Sequence, residues 1–317
     1  MSDLRLARVR VPAGIVLAPL VAVAMVACGG GGEPGGDSAA APSGLDIANV
    51  GFMTPESVLA DSVSDMYLVS NINGGPLDRD DNGFISRLTP DGQLENLKWI
   101  DGASADVTLH APKGMAIRGD TLFVADIDCI RRFNRVTGAP AGEQCIAGAT
   151  FLNDLAVAPD GALYATDTGM QAGESGFVPS GTDAVYRFPN RPDSAGGALA
   201  RSTDLGNPNG IAVEPRRVVV VSFGSGELYQ ITTRGEKTPI LPPDPDRQLD
   251  GVVFTSDGGM LFSSWGDSAV FRVAPNGTTS RLYEHLTAPA DIGYDARRNR
   301  VLIPLFMDNR VLIRDAR

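Results

Sequence analysis

Glu56, Lys113, Asn153, Asn209 and Asp250, with Ala290 in sixth place, each stand second in a short, otherwise apolar segment that recurs along the 317-residue chain. Carboxylates and amides at the head of apolar strands are costly to bury unless something pairs them. A hard cation with oxygen ligands would do so. Glu, Asn and Asp oxygens suit Ca2+ first, then Mg2+, with Mn2+ or Zn2+ as borderline choices. The alternative is a ring of hydrogen-bonded polar side chains around water, with Lys113 neutralising Glu56 or Asp250. The chain has only two histidines, His110 and His285, which excludes a histidine-rich zinc site. No Ser-His-Asp signature, phosphate-cradling glycine loop or Cys/His metal cluster is present.

Placing these residues together is the task of the repeated segments themselves. They read PESVLADSVSDMYLVSN from Pro55, PKGMAIRGDTLFVAD from Pro112, LNDLAVAPDGALYATD from Leu152, PNGIAVEPRRVVVVSF from Pro208, LDGVVFTSDGGMLFSSW from Leu249 and PADIGYDARRNRVLIPLF from Pro289. Their second residues are spaced by 57, 40, 56, 41 and 40. A period near 40 with short alternating strands and Gly/Asp turns predicts an all-β fold: a six-bladed β-propeller of four-stranded antiparallel blades. The two long intervals predict insertions in blades one and three. Third strands come next as GFISRL, CIRRF, AVYRF, ELYQI, AVFRV and RVLIR. After the third strand of blade six only three residues remain, which would leave an open sheet edge. The stretch LDIANVGF, Leu45 to Phe52, is predicted to supply the missing outer strand and close the ring. Pro304 cannot donate to a ladder and is expected at a strand end. In a propeller the innermost strand of each blade lines the central channel, so the second residues would form one ring there.

The segments LNDLAVAPDGALYATD, NPNGIAVEP and QLDGVVFTSDG resemble the gluconolactonase and senescence-marker-protein (regucalcin) family of six-bladed propellers. The order Glu, Asn, Asn, Asp along the chain is the most specific part of that resemblance, which spans residues 45 to 317. It implies a divalent metal held by Glu56, Asn209 and Asp250, with Asn153 contacting substrate or a water at the metal. It implies metal-dependent hydrolysis of lactones or small esters, with Asp250, as ligand or neighbour, accepting a proton as general base. Lys113 departs from what the resemblance leads one to expect. It is a structural ion pair for Glu56 or a clamp for a substrate carboxylate. Asp154 and Asp167 are expected to fix the geometry around Asn153. His110 is expected at the channel rim, as a surface residue before a proton shuttle. Asp78 to Ile85 matches the start of a calcium loop but lacks the closing glutamate, Thr89 standing there. It reads as an acidic loop with an Asn-Gly turn, or as a second calcium site.

The first 27 residues, with Arg5, Arg8 and Arg10 ahead of an apolar stretch, read as an export signal. Met25-Val26-Ala27-Cys28 resembles a bacterial lipobox, so lipidation is expected on Cys28, an ordinary signal peptide being the alternative. The Gly-rich stretch to Gly44 reads as a flexible linker, and residues 45–317 as the propeller. The protein is therefore expected to be exported and lipid-anchored, on the periplasmic face or at the cell surface, touching membrane through acyl chains alone. Cys129 and Cys145 flank the turn RVTGAPAG and are expected to bridge, two buried thiols being the alternative. The net charge is −11 for the whole chain, and losing three arginines and one aspartate with the signal lowers it further. That balance argues against nucleic acid as a partner. A monomer is expected, acting on a small lactone or ester; the competing reading is a non-catalytic propeller that binds a protein or sugar ligand.

Overall fold

The computed structural model describes residues 44–174, 176–191 and 196–317. The expected signal peptide, lipidated Cys28 and the linker up to residue 43 lie outside the described residues.

Six four-stranded antiparallel sheets succeed one another in chain order, each with its first strand innermost. Blade one is β2 (Pro55–Asp61), β3 (Met66–Asn71), β4 (Phe84–Leu88) and β5 (Leu94–Asp101). Blade two is β6 (Pro112–Arg118), β7 (Thr121–Asp126), β8 (Cys129–Asn134) and β9 (Pro140–Cys145). Blade three is β10 (Leu152–Val157), β11 (Leu163–Asp167), β14 (Ala184–Phe188) and β15 (Gly197–Arg201). Its insertion is a two-stranded hairpin of β12 (Met170–Gly173) and β13 (Gly176–Pro179), whereas the blade-one insertion carries no strand among the described residues. Blade four is β16 (Pro208–Glu214), β17 (Arg217–Ser222), β18 (Leu228–Ile231) and β19 (Lys237–Leu241). Blade five is β20 (Leu249–Phe254), β21 (Met260–Ser264), β22 (Ala269–Val273) and β23 (Thr279–Tyr283). Blade six is β24 (Gly293–Asp295), β25 (Arg300–Leu305), β26 (Arg310–Asp315) and, as its outer strand, β1 (Gly44–Ile47).

The N-terminal strand thus closes the ring. Leu45 pairs with Ile313 and Ile47 with Val311, Arg314 donates to the Leu45 carbonyl, and Arg310 pairs with Asp46. Ile47 is buried with Val311, Ile313 and Tyr67, which joins blade six to blade one. Pro304 is the penultimate residue of β25, where its carbonyl accepts the Ala290 N–H.

Alternation along the strands sends apolar side chains to both faces of each blade, since every blade is sandwiched between two others. Phe123, Ile130, Leu155 and Ala165 pack between blades two and three; Val219, Leu228, Val252 and Phe262 do so between blades four and five. Cys129 and Cys145 stand directly opposite in the β8–β9 register and are joined by a disulfide, as the hairpin around Thr137 requires. The sulfurs, beside Glu143, are thereby unavailable as metal ligands.

Candidate metal centre at the head of the channel

A shared irregularity aims the ring residues. In blade two the ladder steps from Pro112↔Asp126 to Met115↔Val124, three residues on β6 against two on β7. The same single extra residue occurs at Leu152 to Leu155, Pro208 to Ile211 and Leu249 to Val252, and between Pro55 and Ser57 in blade one. Each is a β-bulge at or beside the second residue of the repeat. A bulge turns a side chain out of the pleat, here toward the channel instead of a neighbouring blade.

Glu56, Lys113, Asn153, Asn209 and Asp250 accordingly line one cavity of about 270 Å³. All five are buried. Glu56 Oε2, Asn153 Oδ1, Asn209 Oδ1 and Asp250 Oδ1 are inaccessible to solvent and have no hydrogen-bond partner among the described residues. Buried acceptors are nearly always satisfied, so four together at the floor of one cavity call for a donor or a cation. Two carboxylates and two amide carbonyls are the hard oxygen donors that a divalent cation takes. Among the described residues the donor set therefore fits the metal that the resemblance implies.

The electrostatics agree. Burial, then the neighbouring charges of Asp250 and Asp291, push the Glu56 carboxyl well above its ordinary range, with Lys113 pulling it back. Burial and Asp291 likewise raise Asp250, against the nearby indole N–H of Trp265. A positive charge close by would offset both shifts.

Lys113 does not form the expected ion pair with Glu56. Its ammonium donates to the carbonyls of Pro76 (2.9 Å) and Ala111 (3.0 Å) and sits 4.7 Å from the Phe151 ring centroid. Two neutral carbonyls and a ring face offset burial only partly, so its pKa falls to about 8, with Glu56 and Asp126 opposing the fall. The blade-one insertion, through Pro76, has drawn the amine toward the channel wall.

A second ring, one residue further along each repeat, comprises Ser57, Gly114, Asp154, Gly210, Gly251 and Asp291, the last just ahead of β24. Here the acids are used internally. Asp154 accepts from the N–H groups of Leu155 (2.6 Å) and Ile211 (2.7 Å), tying blade three to blade four. Asp291 Oδ2 accepts the Ser57 hydroxyl at 2.5 Å, tying blade six to blade one. The glycines make room: a Cβ on Gly114 would stand 2.2 Å from Asp154 Oδ1, and one on Gly251 would stand 2.9 Å from Asp291 Oδ1. Asp167 accepts the N–H groups of Phe151 (2.9 Å) and Gly169 (3.0 Å), which holds the loop just before Asn153. Asp126 does the same for Ala111 ahead of Lys113.

The cavity wall comes from a column that sequence reasoning passes over. The residues just after the second strand of each blade are Ile72, Ile127, Thr168, Phe223, Trp265 and Phe306, and all but Ile127 line the cavity. The signal is present in the repeat endings SF, SSW and PLF. Phe223 meets Trp265 edge-on at 5.5 Å, and Trp265 meets Phe306 at 5.1 Å, an aromatic arc across blades four to six. Opposite, Phe151 meets Phe177 of the blade-three hairpin at 6.2 Å. Phe177 and Met307, 48% and 62% exposed, form the mouth.

Neither histidine lines the cavity. His110 is held at the rim by Asp81, Nδ1 to Oδ1 3.1 Å. The acids of the loop after Leu77 accept from backbone N–H groups: Asp78 from Gly75, Asp80 from Asn82 and Asp81 from Leu109. The loop behaves as a turn into β4.

No protein-family profile and no curated protein matches the chain in sequence. Solved structures match in shape. A structure carrying a provisional gluconolactonase assignment superposes with a TM-score of 0.64 at 17% identity, covering 86% of this chain and 92% of its own. A catalytically inactive variant of virginiamycin B lyase from Staphylococcus aureus, with an alanine at a histidine position and with quinupristin, gives 0.55 at 16%, covering 85% and 97%. A chain of a nidogen/laminin complex gives 0.56 at 16%, covering 73% and 80%. At such identities the likeness speaks for the fold: the chain is a six-bladed β-propeller resembling those of gluconolactonase type.

Proposed function

We propose that the protein is a divalent-metal-dependent hydrolase of lactones or small esters. The observation that carries this reading is the set of four buried oxygens, from Glu56, Asn153, Asn209 and Asp250, left without partners around one cavity. Glu56, Asn209 and Asp250 would hold the cation, Ca2+ before Mg2+, Mn2+ or Zn2+. When bound, the cation supplies Lewis-acid polarisation of an ester carbonyl and lowers the pKa of water.

The chain's own residues do the rest. Asp250 takes the proton of the attacking water as its oxygen bonds to the carbonyl carbon, and that proton passes to the leaving alkoxide as the C–O bond breaks. The product is a hydroxy acid, or an acid and an alcohol. Asn153, held by its amide donation to Thr168 Oγ1 at 3.0 Å, keeps its own oxygen aimed into the cavity at the substrate. Lys113 has a third N–H beyond the two given to carbonyls, available to a substrate oxygen. The aromatic arc excludes water from the reacting bond.

A lyase reading has less support. The lyase variant with an alanine at a histidine position is described as inactive, and no histidine lines this cavity. The binding-propeller reading, with a protein or sugar ligand, draws on the likeness to a chain of the nidogen/laminin complex and on the apolar mouth. We further propose that the protein is exported and anchored by acyl chains on Cys28, on the N-terminal pattern alone.

The test is metal analysis of the purified full chain, then lactone hydrolysis with and without chelator. Stoichiometric cation and chelator-sensitive turnover are expected, both lost in Asp250→Ala. Unchanged metal content and turnover in that variant would end the hydrolase reading.

A further inference from the structure

The wall of the cavity bears on what enters it, and this inference rests on the hydrolase reading. We infer that the substrate is a lactone or ester bearing an apolar alkyl or aryl substituent, and not a polyhydroxylated sugar lactone.

Polar groups are confined to the floor and one side, and much of their capacity is committed. The Asn153 amide donates to Thr168 Oγ1, and the Thr168 hydroxyl donates to the Pro208 carbonyl at 2.8 Å. Lys113 spends two of its three N–H groups on Pro76 and Ala111. The remaining free oxygens, those of Glu56, Asn153, Asn209 and Asp250, are the ones assigned to the cation and the reacting carbonyl. Above them the lining is Ile72, Phe223, Trp265 and Phe306 on one side and Phe151, Met170 and Phe177 on the other. A ring of hydroxyls would be stripped of water against those faces with few partners offered in return, whereas an alkyl or aryl group gains from each surface it covers. The Trp265 indole N–H, buried beside the Asp250 carboxyl, adds at most one polar contact, enough for a single ester oxygen. At about 270 Å³ the cavity lies below the usual span for drug-sized ligands, which sets a small molecule as the occupant. The mouth, formed by exposed Phe177 and Met307, lets a chain run outward over apolar surface.

The experiment uses the detergent-solubilised, cation-loaded full chain with δ-decalactone, phenyl acetate and glucono-δ-lactone. Hydrolysis rates and quenching of Trp265 fluorescence are both measured, Trp265→Phe serving as the fluorescence control. The expected result is kcat/KM at least about tenfold higher for the two apolar substrates, rising roughly fourfold per methylene along an alkyl series until the cavity is filled. Phe223→Gln and Phe306→Gln, at partly exposed positions, are expected to erase that gradient while leaving cation content unchanged. Saturable quenching by δ-decalactone alone, with no turnover of any substrate, would overturn the hydrolase reading and support the apolar ligand class. Preferential turnover of glucono-δ-lactone would overturn the apolar class and leave the hydrolase reading standing. Neither binding nor turnover overturns both.

Discussion

Two rings of side chains lie one residue apart at the head of the same repeats and meet opposite fates. The second ring is finished: Asp154 holds two backbone N–H groups and Asp291 holds Ser57. In the first ring, four buried oxygens have no hydrogen-bond partner among the described residues. The backbone explains the difference. Beyond the bulge the strands run close enough for a carboxylate to reach the next blade, and glycines at Gly114 and Gly251 clear its path. At the bulge the side chains point along the axis, where no backbone donor reaches them. Acids of the second ring join blades, whereas four oxygens of the first are left without partners among the described residues.

The sharpest way to break that division is Asp250→Asn. It should abolish cation uptake and lower kcat/KM by at least ~100-fold, with no fall in the thermal midpoint of the cation-free protein; equilibrium dialysis and scanning calorimetry measure both. Asp154→Ala should behave in the opposite way. Leaving the Leu155 and Ile211 N–H groups unpaired costs about 3 kcal/mol, a fall in Tm of roughly 6–12 °C for a domain of this size, while folded protein still takes up cation. If the two phenotypes were exchanged, the assignment of the rings would be wrong.

Acidity offers a third test. Burial raises Glu56, Asp154 and Asp250 well above ordinary carboxylates, and Asp291 to about 7. The folded state therefore keeps protons that the unfolded chain releases near pH 4. Stability from these groups is full below that pH and is lost as pH rises through the folded values. Cation-free protein should melt at progressively lower temperature from pH 5 to pH 8. Added cation should remove the share due to Glu56 and Asp250, and Asp291→Asn the share due to the second ring. A melting temperature that rises across this range would contradict the burial argument. The smallest expected effect is that of Ser57→Ala, about 1 kcal/mol of stability from one lost hydrogen bond to Asp291, with cation affinity unchanged.

Much of this is legible in the chain itself. The first ring, the blade count, the closing strand and the Cys129–Cys145 pairing come from a repeat near 40 residues and from strand alternation. The second ring is not legible as a ring, because its members are one serine, three glycines and two acids: at Gly114 and Gly251 the space one blade leaves is filled by an acid of the next. Asp154 can be read as structural only because it adjoins Asn153. The partner of Lys113 is hidden, since the carbonyl of Pro76 arrives from an insertion outside the repeat. The hairpin carrying Phe177 is hidden too, because its two strands are four residues each and exposed, with no alternation to betray them. The aromatic arc is visible in the repeat endings once the position just after each second strand is compared across the blades.

The pairing of Asp46 with Arg310 spans 264 positions. During synthesis the earliest strand of the propeller therefore emerges long before its mate, and five blades can be built while the seam stays open. Until β26 arrives the two edges facing the gap are bare, and another chain offering a strand would fit either. Circularity makes the last strand made a condition for the first strand's protection, so a truncated product should aggregate through its unsealed ends even with most of its blades intact.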